Sequence, residues 1–149
     1  MPNLLNFVVL VLAGVALTTP AEADRPMTLT IETAYAVEIS GDQRHVDVFI
    51  VINNKTGREV LLTSVQSPVA GSAQFHRGSE KPFDRSPAIP DHAELYMLPG
   101  GVHVSMTNVG ALGKVVPLEL EIDGKTRVRI DADVVAGTDQ IPDHHSFQH

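Results

Sequence analysis

Leu118-Glu119-Leu120-Glu121-Ile122-Asp123-Gly124-Lys125-Thr126-Arg127-Val128-Arg129-Ile130-Asp131-Ala132-Asp133-Val134 is the stretch whose reading decides the fold. Leu118, Leu120 and Ile122 alternate with Glu119 and Glu121, and beyond Asp123-Gly124 the apolar Val128, Ile130, Ala132 and Val134 alternate with Arg127, Arg129, Asp131 and Asp133. Side chains of a strand point to its two faces in turn, so each arm has an apolar and a charged face. An Asp-Gly pair between two such arms is the strongest short-range hairpin signal. The stretch predicts two antiparallel strands lying on a core.

Working towards the N-terminus, the same period recurs. Leu98-Pro99-Gly100-Gly101 reads as a turn, because Pro fixes φ and Gly admits conformations closed to other residues. In the strand that follows, Val102, Val104 and Met106 share the face expected in the core, and His103, Ser105 and Thr107 share the face expected to be exposed. Further strands are predicted over Val115 to Ile122, Ala93 to Leu98, Ala73 to His76 and Val60 to Ser67. Val46, Val48, Ile50 and Ile52 alternate with Asp47, Phe49, Val51 and Asn53, and Met27, Leu29 and Ile31 with Thr28, Thr30 and Glu32. Ser67 to Ser72 carries Pro68 and Gly71 and is expected to turn. About eight short strands without a convincing amphipathic helix predict an all-β protein, an antiparallel Greek-key β-sandwich.

Two segments fall outside the pattern. Arg77 to Asp91, with Pro82, Pro87 and Pro90, is expected to be an irregular loop. Ala136 to His149 is expected to be a flexible tail. Its His144, His145 and His149 read equally as a ligand set for a borderline divalent metal or as a solvated end. His45, beside Arg44 in a polar turn, is expected at the surface.

The 149 residues suffice for one globular domain with a real core and are too few for two. Eighteen acidic against eleven basic residues give a formal charge of -7, which opposes nucleic acid and anionic lipid as partners. The chain has no cysteine, which excludes disulfides, a thiolate nucleophile and cysteine metal sites. Phe7 to Leu17 is an apolar run too short to span a bilayer comfortably, followed by Ala21-Glu22-Ala23. This predicts a signal peptide over 1–23 cleaved after Ala23, with an uncleaved anchor as the alternative. The expected organisation is then a β-sandwich domain over 24–135 and the tail over 136–149, with the mature chain not inserted in a membrane.

Several short stretches, taken in order, carry a family resemblance. Ile31-Glu32-Thr33-Ala34-Tyr35-Ala36, Val51-Ile52-Asn53-Asn54, Ser67-Pro68-Val69-Ala70-Gly71 with His76 beyond it, Leu98-Pro99-Gly100-Gly101-Val102-His103 and Val116-Pro117-Leu118-Glu119-Leu120 together resemble the periplasmic copper chaperones of the PCu(A)C type. The resemblance runs from about Leu29 to Val134. It implies a cupredoxin-like sandwich in the periplasm, a monomer that carries Cu(I) towards cytochrome c oxidase assembly. The implied partner is a copper-acceptor protein, an oxidase subunit or an assembly factor.

The family's metal motif is a histidine, a methionine about ten residues later and a distant His-x-Met. The two histidines map to His76 and His103. No methionine follows His76 before Met97, and the position two after His103 is Ser105, with Met106 one residue further on. A one-residue shift along a strand moves a side chain to the opposite face, so Met106 can ligate only if a β-bulge realigns it. Cu(I) favours thioether sulfur, whereas two imidazoles hold Cu(I) alone or serve Cu(II) with added carboxylate or water. The expected metal residues are His76, His103 and Met106, with Met97 and His92 as alternative third ligands.

Three function classes follow. A copper chaperone is the leading expectation. A divergent sandwich without metal, acting as a protein-interaction module, is the alternative. An enzyme is not expected, because no nucleophile elbow, phosphate-binding loop or His-Glu-x-x-His helix is present.

Overall fold

The computed structural model describes residues 28–39, 44–78 and 82–137. The expected signal peptide and the tail histidines His144, His145 and His149 lie outside the described residues. Nine strands make up the fold: β1 (Leu29–Ile39), β2 (His45–Asn54), β3 (Val60–Gln66), β4 (Ala70–Arg77), β5 (Ala88–Ile89), β6 (Glu94–Tyr96), β7 (Val102–Val109), β8 (Val115–Ile122) and β9 (Thr126–Val135). Among the described residues no helix is long and apolar enough to cross a membrane.

The strands run in the order β4-β7-β2-β1-β9-β8-β3-β5, with β6 beside β2. All pairings are antiparallel except β1 with β9, where Tyr35, Ala36 and Val37 lie opposite Asp133, Val134 and Val135. This parallel seam joins the half β4-β7-β2-β1 to the half β9-β8-β3-β5, and the sheet curls so that one core lies between them. The alternation read in the sequence supplies that core. Val46, Val48, Ile50 and Ile52 of β2 meet Val104 and Met106 of β7, Leu62 of β3, and Leu118, Leu120 and Ile122 of β8. Each fully buried aliphatic side chain contributes about 1.5–3 kcal/mol of transfer free energy.

The turns take the conformations their residues favour. Asp123 and Gly124 have φ of 53° and 67°, as a type I′ hairpin turn requires, and Lys125 N donates to Ile122 O at 3.0 Å. Gly100 sits at φ 81° and Gly101 N donates to Leu98 O at 2.9 Å, a type II turn in which Pro99 precedes the glycine. This turn separates β6 from β7, and the two then flank successive parts of β2, at Val51–Asn53 and Val46–Val48.

Three local expectations change. The segment read as irregular between Arg77 and Asp91 holds β5, whose Ile89 is fully buried and pairs with Val60. Two residues are too few for periodicity to reveal. In the segment read as a turn from Ser67 to Ser72, Ala70, Gly71 and Ser72 already belong to β4. A Cβ on Gly71 would stand 3.0 Å from the Asn108 Cβ, so glycine lets the strands approach there. The strand expected over Ala93 to Leu98 is confined to Glu94–Tyr96.

Asn54 closes β2 and is fully buried. Its Nδ2 donates to the carbonyls of Arg58, Ile89 and Pro90 at 2.8, 2.8 and 3.0 Å, and its Oδ1 accepts from Thr56 N and Thr56 Oγ1. One amide thereby fastens the β2–β3 turn and β5 to the central strand.

Candidate metal centre

The strand order places three chemistry-bearing strands side by side. His76 of β4 pairs directly with His103 of β7, and Asp47 of β2 pairs with Ser105 of β7. Because side chains at paired positions share a face, His76, His103, Phe49, Asp47, Ser105 and His45 all emerge on the outer face of this half, opposite the core. The His76 and His103 rings lie with centroids 5.9 Å apart, and Phe49 packs 5.8 Å from the His103 ring. Ile39, Gly78, Pro99 and Gly100 form the rim of the cleft they line, which has a volume of about 280 Å³.

This face is not open as expected. His103 and Ser105 are 6% and 4% exposed. Alternation assigns a side chain to a face but says nothing of what covers that face, and here Phe49 packs against the His103 ring and His45 reaches Ser105 Oγ at 2.7 Å. The Leu98–Gly101 turn fixes the imidazole. His103 Nδ1 lies 3.0 Å from Gly101 O. A carbonyl only accepts, so Nδ1 carries a proton and Nε2 is the nitrogen through which the ring could ligate a metal.

Nε2 of His103 faces Asp47 Oδ1 at 3.8 Å. Asp47 Oδ1 is buried and finds no hydrogen bond of acceptable geometry, although His45 Nε2 stands 2.9 Å away. His45 Nε2 also lies 2.7 Å from Ser105 Oγ, and we regard this as its directed contact. His76 is held below the ordinary histidine value of 6.5, first by burial and then by the positive charge that His103 and His45 would add, with Asp47 acting against them. A neutral imidazole is the form that ligates a metal.

The structure thus brings His76 and His103 together and leaves the other expected ligands elsewhere. Met106 is fully buried on the core face of β7, where it pairs with Val46 and Ala73, and no bulge realigns it. Met97 is also in the core at 1% exposure, with its N–H on Ile50 O. His92 is exposed in the turn before β6, its Nδ1 2.8 Å from Asp91 Oδ2, and does not line the cleft. His45, expected at the surface, begins β2 and lines the cleft with its side chain 36% exposed. Asp47 was not singled out by its sequence pattern. The alternation of β2 puts both on the face opposite Val46 and Val48, but only the pairing of β2 with β7 shows that this face is the one carrying His103. Among the described residues no three His, Asp or Glu side chains already converge on one metal-sized point.

Comparison with known proteins accords with this architecture. Solved structures that share it include a copper-bound PCuAC domain from PmoF2 (23% identity, TM-score 0.63, 73% of this chain and 93% of that one). The apo PCuAC domain from PmoF1 matches at 19% identity and TM-score 0.64, over 73% of this chain and 94% of that one. Apo-DR1885 from Deinococcus radiodurans matches at 17% identity and TM-score 0.58, over 92% and 97%. No curated protein matches the sequence. The family described as "Putative lipoprotein LpqE-like" matches residues 29–134. The chain therefore belongs to the LpqE-like family, and its sandwich is the PCuAC fold that the sequence resemblance implied.

Proposed function

We propose that the protein is an exported copper-binding protein of the chaperone type, which holds one copper ion as cargo at His76 and His103 and passes it to an acceptor protein. The observation that carries this reading is the direct cross-strand pairing of His76 with His103, one ring nitrogen of His103 being fixed by Gly101 O and the other facing Asp47 Oδ1 at 3.8 Å. The PCuAC fold, one example of which is copper-bound, supports it. So does membership of a family whose description is that of a lipoprotein, which fits the apolar leader and an extracytoplasmic address. The family resemblance points to the cytochrome c oxidase assembly line as the destination. Carrying cargo requires release, and a site of few ligands in a cleft suits that. The -7 charge offers a surface for steering towards a basic acceptor.

The test is a copper titration of the full chain against a competing chelator, in parallel with a His76→Ala/His103→Ala variant. One equivalent taken up by the native chain and lost by the variant supports the reading. Equal behaviour of the two, with a melting temperature indifferent to copper, overturns it in favour of a metal-free interaction module.

A further inference from the structure

We infer that the C-terminal segment beyond Gly137 completes the metal centre, an imidazole of His144 or His145 reaching the cleft as the third ligand beside His76 and His103. The inference rests on the copper-binding reading above and adds a ligand to it. The cleft by itself stops short of a ligand set. His76 and His103 pair on β4 and β7, no three His, Asp or Glu side chains of the described residues converge on one metal-sized point, and Met97 and Met106 are in the core. A cleft of about 280 Å³ has room for a further ring.

The strand register brings the segment to this cleft. β9 runs parallel to β1 with Val135 opposite Val37, and Val37 lies opposite Asp47 of β2. The chain leaving β9 is therefore directed along β1 towards Ile39, which pairs with His45, and both of these line the cleft. The order β9-β1-β2-β7 puts β7 three strand spacings from β9, about 14 Å. Along the strands, Asp133 is level with Tyr35 and Phe49, and Phe49 packs on His103, so Gly137 lies four residues, about 13 Å, beyond that row. The span from Gly137 to His103 is then about 20 Å. Seven residues lead from Gly137 to His144, and an extended chain of that length reaches at most about 25 Å. His144 and His145 are the first histidines of the segment to come within range. Val135 and Ile39, both partly buried, lie on the outer face between its root and the cleft and offer Ile141 and Pro142 an apolar footing. A donor tethered by so short a segment acts at about millimolar effective concentration, enough for one imidazole to add to the affinity of two.

The experiment titrates Cu(I) and Cu(II) separately, under competing chelators, into the full chain and into its His144→Gln/His145→Gln, His149→Gln and His76→Ala/His103→Ala variants. X-ray absorption counts the imidazoles on the bound ion, and thermal melts of the metal-free chains check folding. For the ion that the full chain holds more tightly, His144→Gln/His145→Gln is expected to weaken binding at least about tenfold and to lower the imidazole count from three to two with one equivalent still bound, while His149→Gln changes affinity by less than about threefold. Unchanged affinity and count in His144→Gln/His145→Gln, or a larger loss in His149→Gln, overturns the inference and leaves copper binding at the histidine pair standing. Copper that His76→Ala/His103→Ala retains and His144→Gln/His145→Gln loses marks the segment as a separate site and overturns both readings, as does the absence of binding by any chain.

Discussion

The outer faces of the two sandwich halves treat their polar side chains in opposite ways. On β3-β8-β9, Glu119 meets Arg127 and Arg129 at 3.4 and 3.7 Å and accepts from Gln66 Nε2 at 2.9 Å, so unlike charges satisfy one another in water. At the tip of that half, Asp123 receives Leu61 N and pairs with Arg58 at 2.7 Å. On β4-β7-β2 the polar groups include His45, His76, His103, Asp47 and Ser105, half-shielded, with His45 Nε2 2.9 Å and His103 Nε2 3.8 Å from Asp47 Oδ1 and two imidazoles packed against each other. Complementary charges need nothing further. A carboxylate among imidazoles is balanced by the protons those rings carry or by a metal ion that replaces them. The contrast separates a solvated face from a binding face, although both look like alternating polar positions in the sequence.

The sharpest way to break this contrast is by substitution on each face in turn. His103→Ala is expected to lower copper affinity at least about a hundredfold, as measured by chelator competition, whereas Glu119→Ala on the other face leaves it unchanged. Asn54 shows what a buried polar group contributes when every partner is present. Asn54→Ala strands three carbonyls and the Thr56 N–H, and is expected to cost about 2–3 kcal/mol in denaturant unfolding without altering copper binding at a given folded fraction.

Acid should unpick the two halves in separate windows. For metal-free protein, His76 has a folded pKa below 6.5, so the unfolded chain binds its proton more tightly; this contribution is complete above about pH 6.5 and is lost as pH falls through the lowered folded value. Asp123 is held below 3.8 by the Leu61 N–H first and Arg58 second, so its contribution is present above 3.8 and is lost only in stronger acid. Urea midpoints of native protein and His76→Gln should therefore diverge between about pH 7.5 and 5.5, with the native midpoint falling further, while Asp123→Asn differs from native by an amount that is constant across that range. The smallest effect is expected from the exposed ion pairs: Arg129→Ala, whose side chain is 92% exposed, should change stability by less than about 0.5 kcal/mol.

How much of this was legible beforehand depends on the range of the interaction concerned. Local signals were dependable. The Asp123-Gly124 hairpin, the Pro99-Gly100 turn and the inward pair Val104 and Met106 follow from conformational preference and a period of two, and the structure has all of them, while Val102, expected with them, is only half-buried and outside the core. Pairing between distant strands was not legible, because no local pattern says that β2 lies beside β7. Asp47 was therefore not singled out, and His45 was assigned to a polar surface turn rather than to the strand that carries it to the cleft. The same gap explains the burial of His103 and Ser105, on which Phe49 and His45 of the neighbouring β2 pack. The displacement of methionine from Ser105 to Met106 was legible as a change of face, and its burial in the core follows from register alone.

The most direct test of the central claim, that the metal centre is built from the nitrogen and oxygen donors of the β4-β7-β2 outer face, is X-ray absorption at the copper edge of the loaded chain with its tail histidines replaced. The account predicts a nearest shell of nitrogen and oxygen at about 2.0 Å with the outer-shell scattering of two imidazoles. A sulfur neighbour at about 2.3 Å would contradict it, because Met97 or Met106 would then have to leave the core to reach the metal.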